Sequence, residues 1–162
     1  MKKSFITIIV IILAIGALGY WFWPKGSDGA VALYFLKDSS IAKIYRNVGK
    51  ENVNPERAIK ELVRGPKVDK LLGYFTEIPD GAKVLNVNIE DGTAYVNFSK
   101  QLGAYGGGAS RVRALVAQIV YTLTEFPEIK KVRILVNGSK NVVLGSEGYE
   151  ISAPLSREDV KF

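Results

Sequence analysis

The stretch Leu85-Asn86-Val87-Asn88-Ile89-Glu90-Asp91-Gly92-Thr93-Ala94-Tyr95-Val96-Asn97-Phe98 alternates apolar and polar side chains on both sides of Asp91-Gly92. Alternation puts one set of side chains on each face of an extended strand, and Asp-Gly is a preferred pair for a two-residue type I′ turn. Such a turn sets the register: Glu90 opposes Thr93, Ile89 opposes Ala94, Val87 opposes Val96 and Leu85 opposes Phe98. All the apolar members then share one face, which a slip of one residue would turn to water. The segment predicts a β-hairpin with one buried side.

Upstream, Val31, Leu33 and Phe35 alternate in a first strand over residues 31–36. Asp38-Ser39-Ser40 turns the chain, and a second strand from Ile41 to Val48 completes another hairpin. Between the hairpins, Asn54-Pro55 opens a helix, because Asn is a favoured N-cap and Pro loses nothing at the first helical position. Ala58, Ile59, Leu62 and Val63 give that helix its apolar side, and Gly65-Pro66 stops it. Downstream, the polar, glycine-rich segment 99–109 leads to Ser110, the expected N-cap of a longer helix. Its stripe of Val112, Leu115, Val116, Ile119, Val120 and Leu123 marks it as core, and Pro127 ends it by about Phe126. Val132, Ile134 and Val136 predict a strand, Asn137-Gly138 a turn, and Val142-Val143-Leu144 its returning partner. Ser156-Arg157-Glu158-Asp159 predicts a capped last helical turn. The order predicts an α+β fold, a mainly antiparallel sheet with helices packed on one face.

The first residues have a different character. No charge occurs between Phe5 and Trp23, and those 19 positions make a helix of nearly bilayer length, at about 1.5 Å per residue against a core of ~30 Å. Lys2 and Lys3 precede the run, so the positive-inside rule leaves the N-terminus in the cytoplasm and the remainder outside. Tyr20-Trp21-Phe22-Trp23 suits the headgroup layer, and Pro24 ends the helix. The segment reads as a single N-terminal transmembrane helix. A cleaved signal peptide is the alternative, with Ala17-Leu18-Gly19 at the processing position and a secreted product. The expected organisation is therefore an anchor or signal over residues 1–24, a linker over 25–30, and one extracytoplasmic domain over 31–162.

Composition narrows the chemistry. The 162 residues contain neither cysteine nor histidine, which excludes disulfides, Cys/His zinc sites, thiolate nucleophiles, Ser-His dyads and a lipidated cysteine. The 22 Lys and Arg against 16 Asp and Glu leave +6, but half of that excess flanks the apolar run. No basic stripe with interleaved aromatics appears, so nucleic acid is not an expected partner.

Several pieces together resemble the GerMN-type domain, a module of sporulation and spore-germination proteins. They are Ala58 through Leu62-Val63 to Gly65-Pro66; Ile78-Pro79-Asp80-Gly81; Val87 through Asp91-Gly92 to Ser99; Gln118 through Phe126-Pro127; and Val132 through Val136-Asn137-Gly138. The resemblance implies a noncatalytic module of the cell envelope with no catalytic set, no cofactor and no metal. An envelope protein or a cell-wall component is the implied partner. Arg111 and Arg113 depart from what a helix N-terminus favours, since acids suit the dipole there.

The candidate binding loop is Tyr105, Gly106, Gly107, Gly108 and Arg111, where backbone N–H groups and a guanidinium could meet an anion. A flexible connection is the plainer reading of the same glycines. Two alternatives to an assembly role stay open: an enzyme working on wall glycan or peptide through acids such as Glu77 or Glu125, and a small-ligand-binding module. Glu90-Asp91 reads as turn chemistry, and Ser99-Lys100 and Ser139-Lys140 as solvated strand ends. Gln118 reads as half-buried and bonded to backbone. Lys130, Lys131 and Arg133 read as a solvated strand entry open to anionic polymer or lipid.

Overall fold

The computed structural model describes residues 28–66, 73–104 and 106–162; the expected membrane segment and Tyr105 lie outside them. No helix among the described residues is long and apolar enough to cross a membrane.

The first hairpin pairs β1 (Ala30–Lys37) with β2 (Ser40–Asn47) in antiparallel register. Its loop is the two residues Asp38 and Ser39, both at positive φ, so Ser40 belongs to the strand. Helix α1 (Pro55–Val63) starts as expected: the Asn54 side chain accepts the Arg57 N–H at 2.8 Å, with Pro55 at the first position. Gly65, at φ +76, donates its N–H to the Leu62 carbonyl and closes the helix.

The second hairpin joins β3 (Val84–Glu90) to β4 (Thr93–Phe98) through Asp91-Gly92, at φ +47 and +73. Glu90, Ile89 and Val87 face Thr93, Ala94 and Val96 as the turn requires. The fourth pair differs. A bulge between Val84 and Asn86 puts Val84 opposite Phe98 and leaves Leu85 outside the ladder, 51% exposed. Ile89, at the edge of the sheet, is 39% exposed, so burial is complete only on β4, at Ala94, Val96 and Phe98. A bulge adds one residue to one strand and re-aims the side chains beyond it, which a period-two pattern cannot reveal.

Helix α2 (Ala109–Leu123) carries the chain from β4 to β5 (Lys131–Val136), which pairs with β4 in parallel. The connection is a β-helix-β crossover, and a helix of this length permits the parallel return. Short β6 (Val142–Leu144) and β7 (Tyr149–Ile151) form a third, antiparallel pair. The architecture is α+β, and among the described residues three of the four strand pairings are antiparallel, but the strands form three small sheets instead of one. Helix α2 contacts β1 on one side and β5 on another, and also packs on α1. Its predicted stripe is fully buried, as are Ala117, Gln118 and Thr122 around it. The helices thus lie between sheets.

Three further expectations change. Asn137-Gly138 does turn the chain, at φ +50 and +79, but among the described residues the returning segment forms no ladder with β5 and bridges it by backbone only at Ser139 and Val136. Val142 to Leu144 pair with β7, and the free edge of β5 takes Leu155, whose N–H and carbonyl bond Val132 at 2.9 and 2.8 Å. Residues 156–159 make a single turn, with Asp159 accepting from the Ser156 N–H and hydroxyl at 2.8 and 2.7 Å. Arg133 is buried at 6% exposure and donates to the Lys140 carbonyl at 2.7 Å, so of the basic trio only Lys130 and Lys131 are solvated.

A candidate functional groove beside the first hairpin

β1 has a second edge, away from β2, and no strand covers it among the described residues. Side chains from α2 do part of that work. The Tyr34 N–H donates to the Thr122 hydroxyl at 3.2 Å, and the Gln118 amide donates to the Tyr34 carbonyl at 3.1 Å. The Gln118 carbonyl oxygen accepts the Glu77 N–H at 2.9 Å and the Thr76 hydroxyl at 3.3 Å. Gln118 is therefore buried completely, not by half, and ties β1, α2 and residues 76–77 together. Farther along the edge, Leu36 and Phe75 exchange two backbone hydrogen bonds of 2.9 Å.

Outside this closure lies a groove of about 450 Å³, within the range of ligand clefts. Its walls are Gly65-Pro66 at the end of α1, residues 74–80, Arg64 and Arg111. The Lys37 ammonium lies 5.1 Å from the centre of the Tyr74 ring. Phe75 is 43% exposed. Arg111 Nη2 reaches a Glu77 carboxylate oxygen at 2.8 Å, and Arg64 pairs with Glu61. Glu61, 5% exposed at its side chain, also meets Arg57 at 2.9 Å and Arg46 at 3.3 Å. Three guanidinium groups thus surround one buried carboxylate, which pairs its charge, while the buried Arg57 Nε has no hydrogen-bond partner among the described residues. The carboxylates are hidden, with side-chain exposures of 5% for Glu61 and 10% for Glu77, while Arg64 and Arg111 stand 49% and 64% exposed. What these pairs present to water is mainly cationic.

The expected loop divides. Arg111 belongs to the groove with Glu77, whereas Gly107 and Gly108 lie against the β6–β7 turn and a carbon added at Gly106 would meet nothing within 4 Å. Helix α2 is capped by Gly108, two residues before the expected cap Ser110, and the Ala109 N–H is taken by Glu147 at 3.2 Å. A carboxylate from a distant turn therefore supplies the negative charge that the helix N-terminus lacks in sequence.

The two acids of the enzymatic alternative sit in separate clusters. Glu77 is held by Arg111. Glu125 accepts from the Tyr34 hydroxyl at 2.5 Å, Lys43 at 2.8 Å and Arg157 at 2.6 Å. Arg157 also donates to the Thr124 hydroxyl and the Tyr121 carbonyl, pinning the C-terminal turn to α2. Burial pushes the Glu125 carboxyl up, but the hydrogen bonds from Lys43, Tyr34 and Arg157 outweigh it and hold the group below its ordinary value of 4.5. Among the described residues no cluster of three acidic side chains is placed to hold a metal ion. The Ser99 hydroxyl accepts from Lys83 N–H, and the Ser139 hydroxyl donates to the Asn141 carbonyl, so both serines serve turns.

The Glu125 cluster sets a pH dependence. A carboxyl depressed by folding contributes stability at pH above its unfolded value and loses it as pH falls through the lower folded value. The melting temperature of wild type should therefore exceed that of E125Q at neutral pH, and the difference should shrink below about pH 4.5. Thermal melts of both proteins across pH 3 to 7, on the scale where carboxylates titrate, check this; a constant difference would contradict it.

Sequence reading missed the groove's central segment because Tyr74, Phe75 and Thr76 are too few to show alternation. The signal available was indirect: Gly65-Pro66 and Ile78-Pro79-Asp80-Gly81 bracket it. Arg57 and Arg64 at i−4 and i+3 of Glu61 were also readable as helix ion pairs.

The model of the Germane family, described as sporulation and spore germination, matches residues 32–142. The spore germination protein GerM of Bacillus subtilis (strain 168) is 28% identical, across 78% of this chain and 36% of its own length. The chain thus spans about a third of that curated relative. Among solved structures, the first GerMN domain of GerM from Bacillus subtilis superposes with a TM-score of 0.65 at 29% identity, covering 80% of this chain and 98% of that one. The tandem GerMN domains of the same protein give 0.66 at 24% identity, over 82% of this chain and 47% of theirs. A candidate lipoprotein from Clostridium perfringens gives 0.60 at 25% identity, over 84% and 93%. With more than half of its residues matched in order, the chain belongs to the Germane family of sporulation and spore germination.

Proposed function

We propose that the chain is a membrane-anchored, noncatalytic GerMN module that works outside the cytoplasm, holding an envelope protein partner in a sporulation or germination assembly. The observation that carries this reading is the match to one complete GerMN domain, 98% of that chain, in a protein whose own name is a spore germination protein. The uncharged run from Phe5 to Trp23 supports the anchor. A lipoprotein-like neighbour supports the same side of the membrane, with a protein helix here in place of lipid, since the chain has no cysteine. The engaged state of Glu77 and Glu125 supports a noncatalytic role. Tethering confines the domain near the bilayer and raises its effective concentration toward neighbours.

The experiment is crosslinking of the full-length protein in its native membrane, with mass spectrometry of neighbours and of the N-terminal peptide. The expected result is a membrane fraction in which residues 1–24 remain attached and one envelope protein is captured reproducibly. A mature chain beginning near Tyr20 would remove the anchor, and turnover of wall fragments by purified protein would remove the noncatalytic reading.

A further inference from the structure

The Leu36–Phe75 contact is a two-way backbone pair. In extended backbone, the N–H and C=O of one residue point to one edge and those of its neighbours to the other. With Phe75 turned toward Leu36, the backbone groups of Tyr74 and Thr76 face away from β1. Among the described residues none of them has a hydrogen-bond partner. The Thr76 hydroxyl is engaged internally, donating to Gln118 and accepting from the Ile78 N–H at 3.1 Å. Both residues line the groove. Beside them stand exposed Phe75 and the two guanidinium groups of Arg64 and Arg111, far more exposed than their carboxylate partners, buried Glu61 and partly buried Glu77. Asp80 on the lip is the one opposing exposed acid of the lining among the described residues.

We propose that residues 74–76 are a docking edge for an extended, acidic polypeptide segment of a partner protein. The segment adds as a strand beside Tyr74 and Thr76, sets an apolar side chain against Phe75, and places carboxylates near Arg64 and Arg111. Backbone pairing supplies the affinity and alternate side chains the selectivity, as in other strand additions. Charge complementarity chooses the acidic class, because a guanidinium binds a carboxylate through charge-assisted hydrogen bonds. The open edge of β3 is a weaker competitor, since its bulge at Leu85 blunts strand pairing. This inference rests on the assembly reading only in taking the partner to be a protein, and its test does not depend on where the domain resides.

The test uses the full-length, isotope-labelled chain in detergent micelles and a capped hexapeptide of alternating glutamate and valine. Two control peptides replace glutamate by lysine or carry N-methyl groups on alternate amides. The expected result is a shift of the Tyr74 and Thr76 amide signals on titration with the acidic peptide. Affinity should fall about tenfold for the N-methylated peptide, and similarly in R64Q or R111Q, on the scale of one charge-assisted contact. Melting curves of both variants check folding, and the N-methylated peptide leaves the protein unaltered. No saturable binding, equal binding of the lysine peptide, equal binding of the N-methylated peptide, or shifts confined to β3 would each overturn the proposal. Failure here with an intact anchor and a captured neighbour would leave the assembly reading standing and remove only this edge.

Discussion

Replacing Gln118 by leucine is expected to lower the melting temperature by roughly 10 °C. The volume is nearly conserved, so packing is not the cause. The cost comes from the Tyr34 carbonyl and the Glu77 N–H, which lose the partners they have at 3.1 and 2.9 Å inside a closed interface. Each buried group left unsatisfied costs about 1 to 3 kcal/mol, so the sum is about 3 kcal/mol, and a domain of this size loses about 3 to 4 °C per kcal/mol. T122V, which removes only the acceptor of the Tyr34 N–H, should cost about half as much. Differential scanning calorimetry of the three proteins decides the matter. A Q118L protein melting within 2 °C of wild type, on that same scale, would mean that water or a shifted backbone takes over both groups.

Gly145→Ala is expected to destabilise by about 3 kcal/mol or more, through two independent penalties. Gly145 has φ +73, where an added Cβ is strained. That Cβ would also lie inside contact distance of the Gly107 carbonyl oxygen and 2.7 Å from a methyl carbon of Val112. The first obstacle is backbone and cannot swing aside. Because the Gly107 segment carries the start of α2, and Glu147 caps that start, the displacement should loosen the helix N-terminus as well. Urea denaturation gives the magnitude, and hydrogen exchange at residues 109–112 locates the damage. Gly138→Ala is the control: its φ of +79 is equally strained, yet nothing lies within 4 Å of the added carbon, so it should cost only about 1 kcal/mol.

The parts of the fold that sequence made readable are those specified locally. Asn54-Pro55 and Gly65 bound α1, and Asp91-Gly92 fixes three of the four predicted cross-strand pairs, because caps and turns act over a few residues. The buried stripe of α2 was equally plain. Pairings that depend on distant chain were not legible. Nothing local distinguishes β5 as a parallel neighbour of β4, or Leu155 as its outer partner, because both depend on what the crossover leaves free. The same holds for the site. Arg111 was identified by its place at a helix start, but its partner Glu77 lies 34 residues away. Tyr74 and Thr76 matter through their backbones, which side-chain pattern does not report.

Helix α2 has consequences before the fold is complete. From Ala114 to Val120 every residue is buried, an Ala-Leu-Val-Ala-Gln-Ile-Val run with no charge. In a newly made chain whose sheets have not yet closed around it, that run is exposed and prone to self-association. Arg111 and Arg113, exposed just ahead of it and costly to the helix dipole, act as gatekeepers against clumping. Exchanging Arg113 for a neutral residue would relieve the helix dipole while lowering the yield of soluble chain, whereas the same change at Arg111 would also strip Glu77 of its partner.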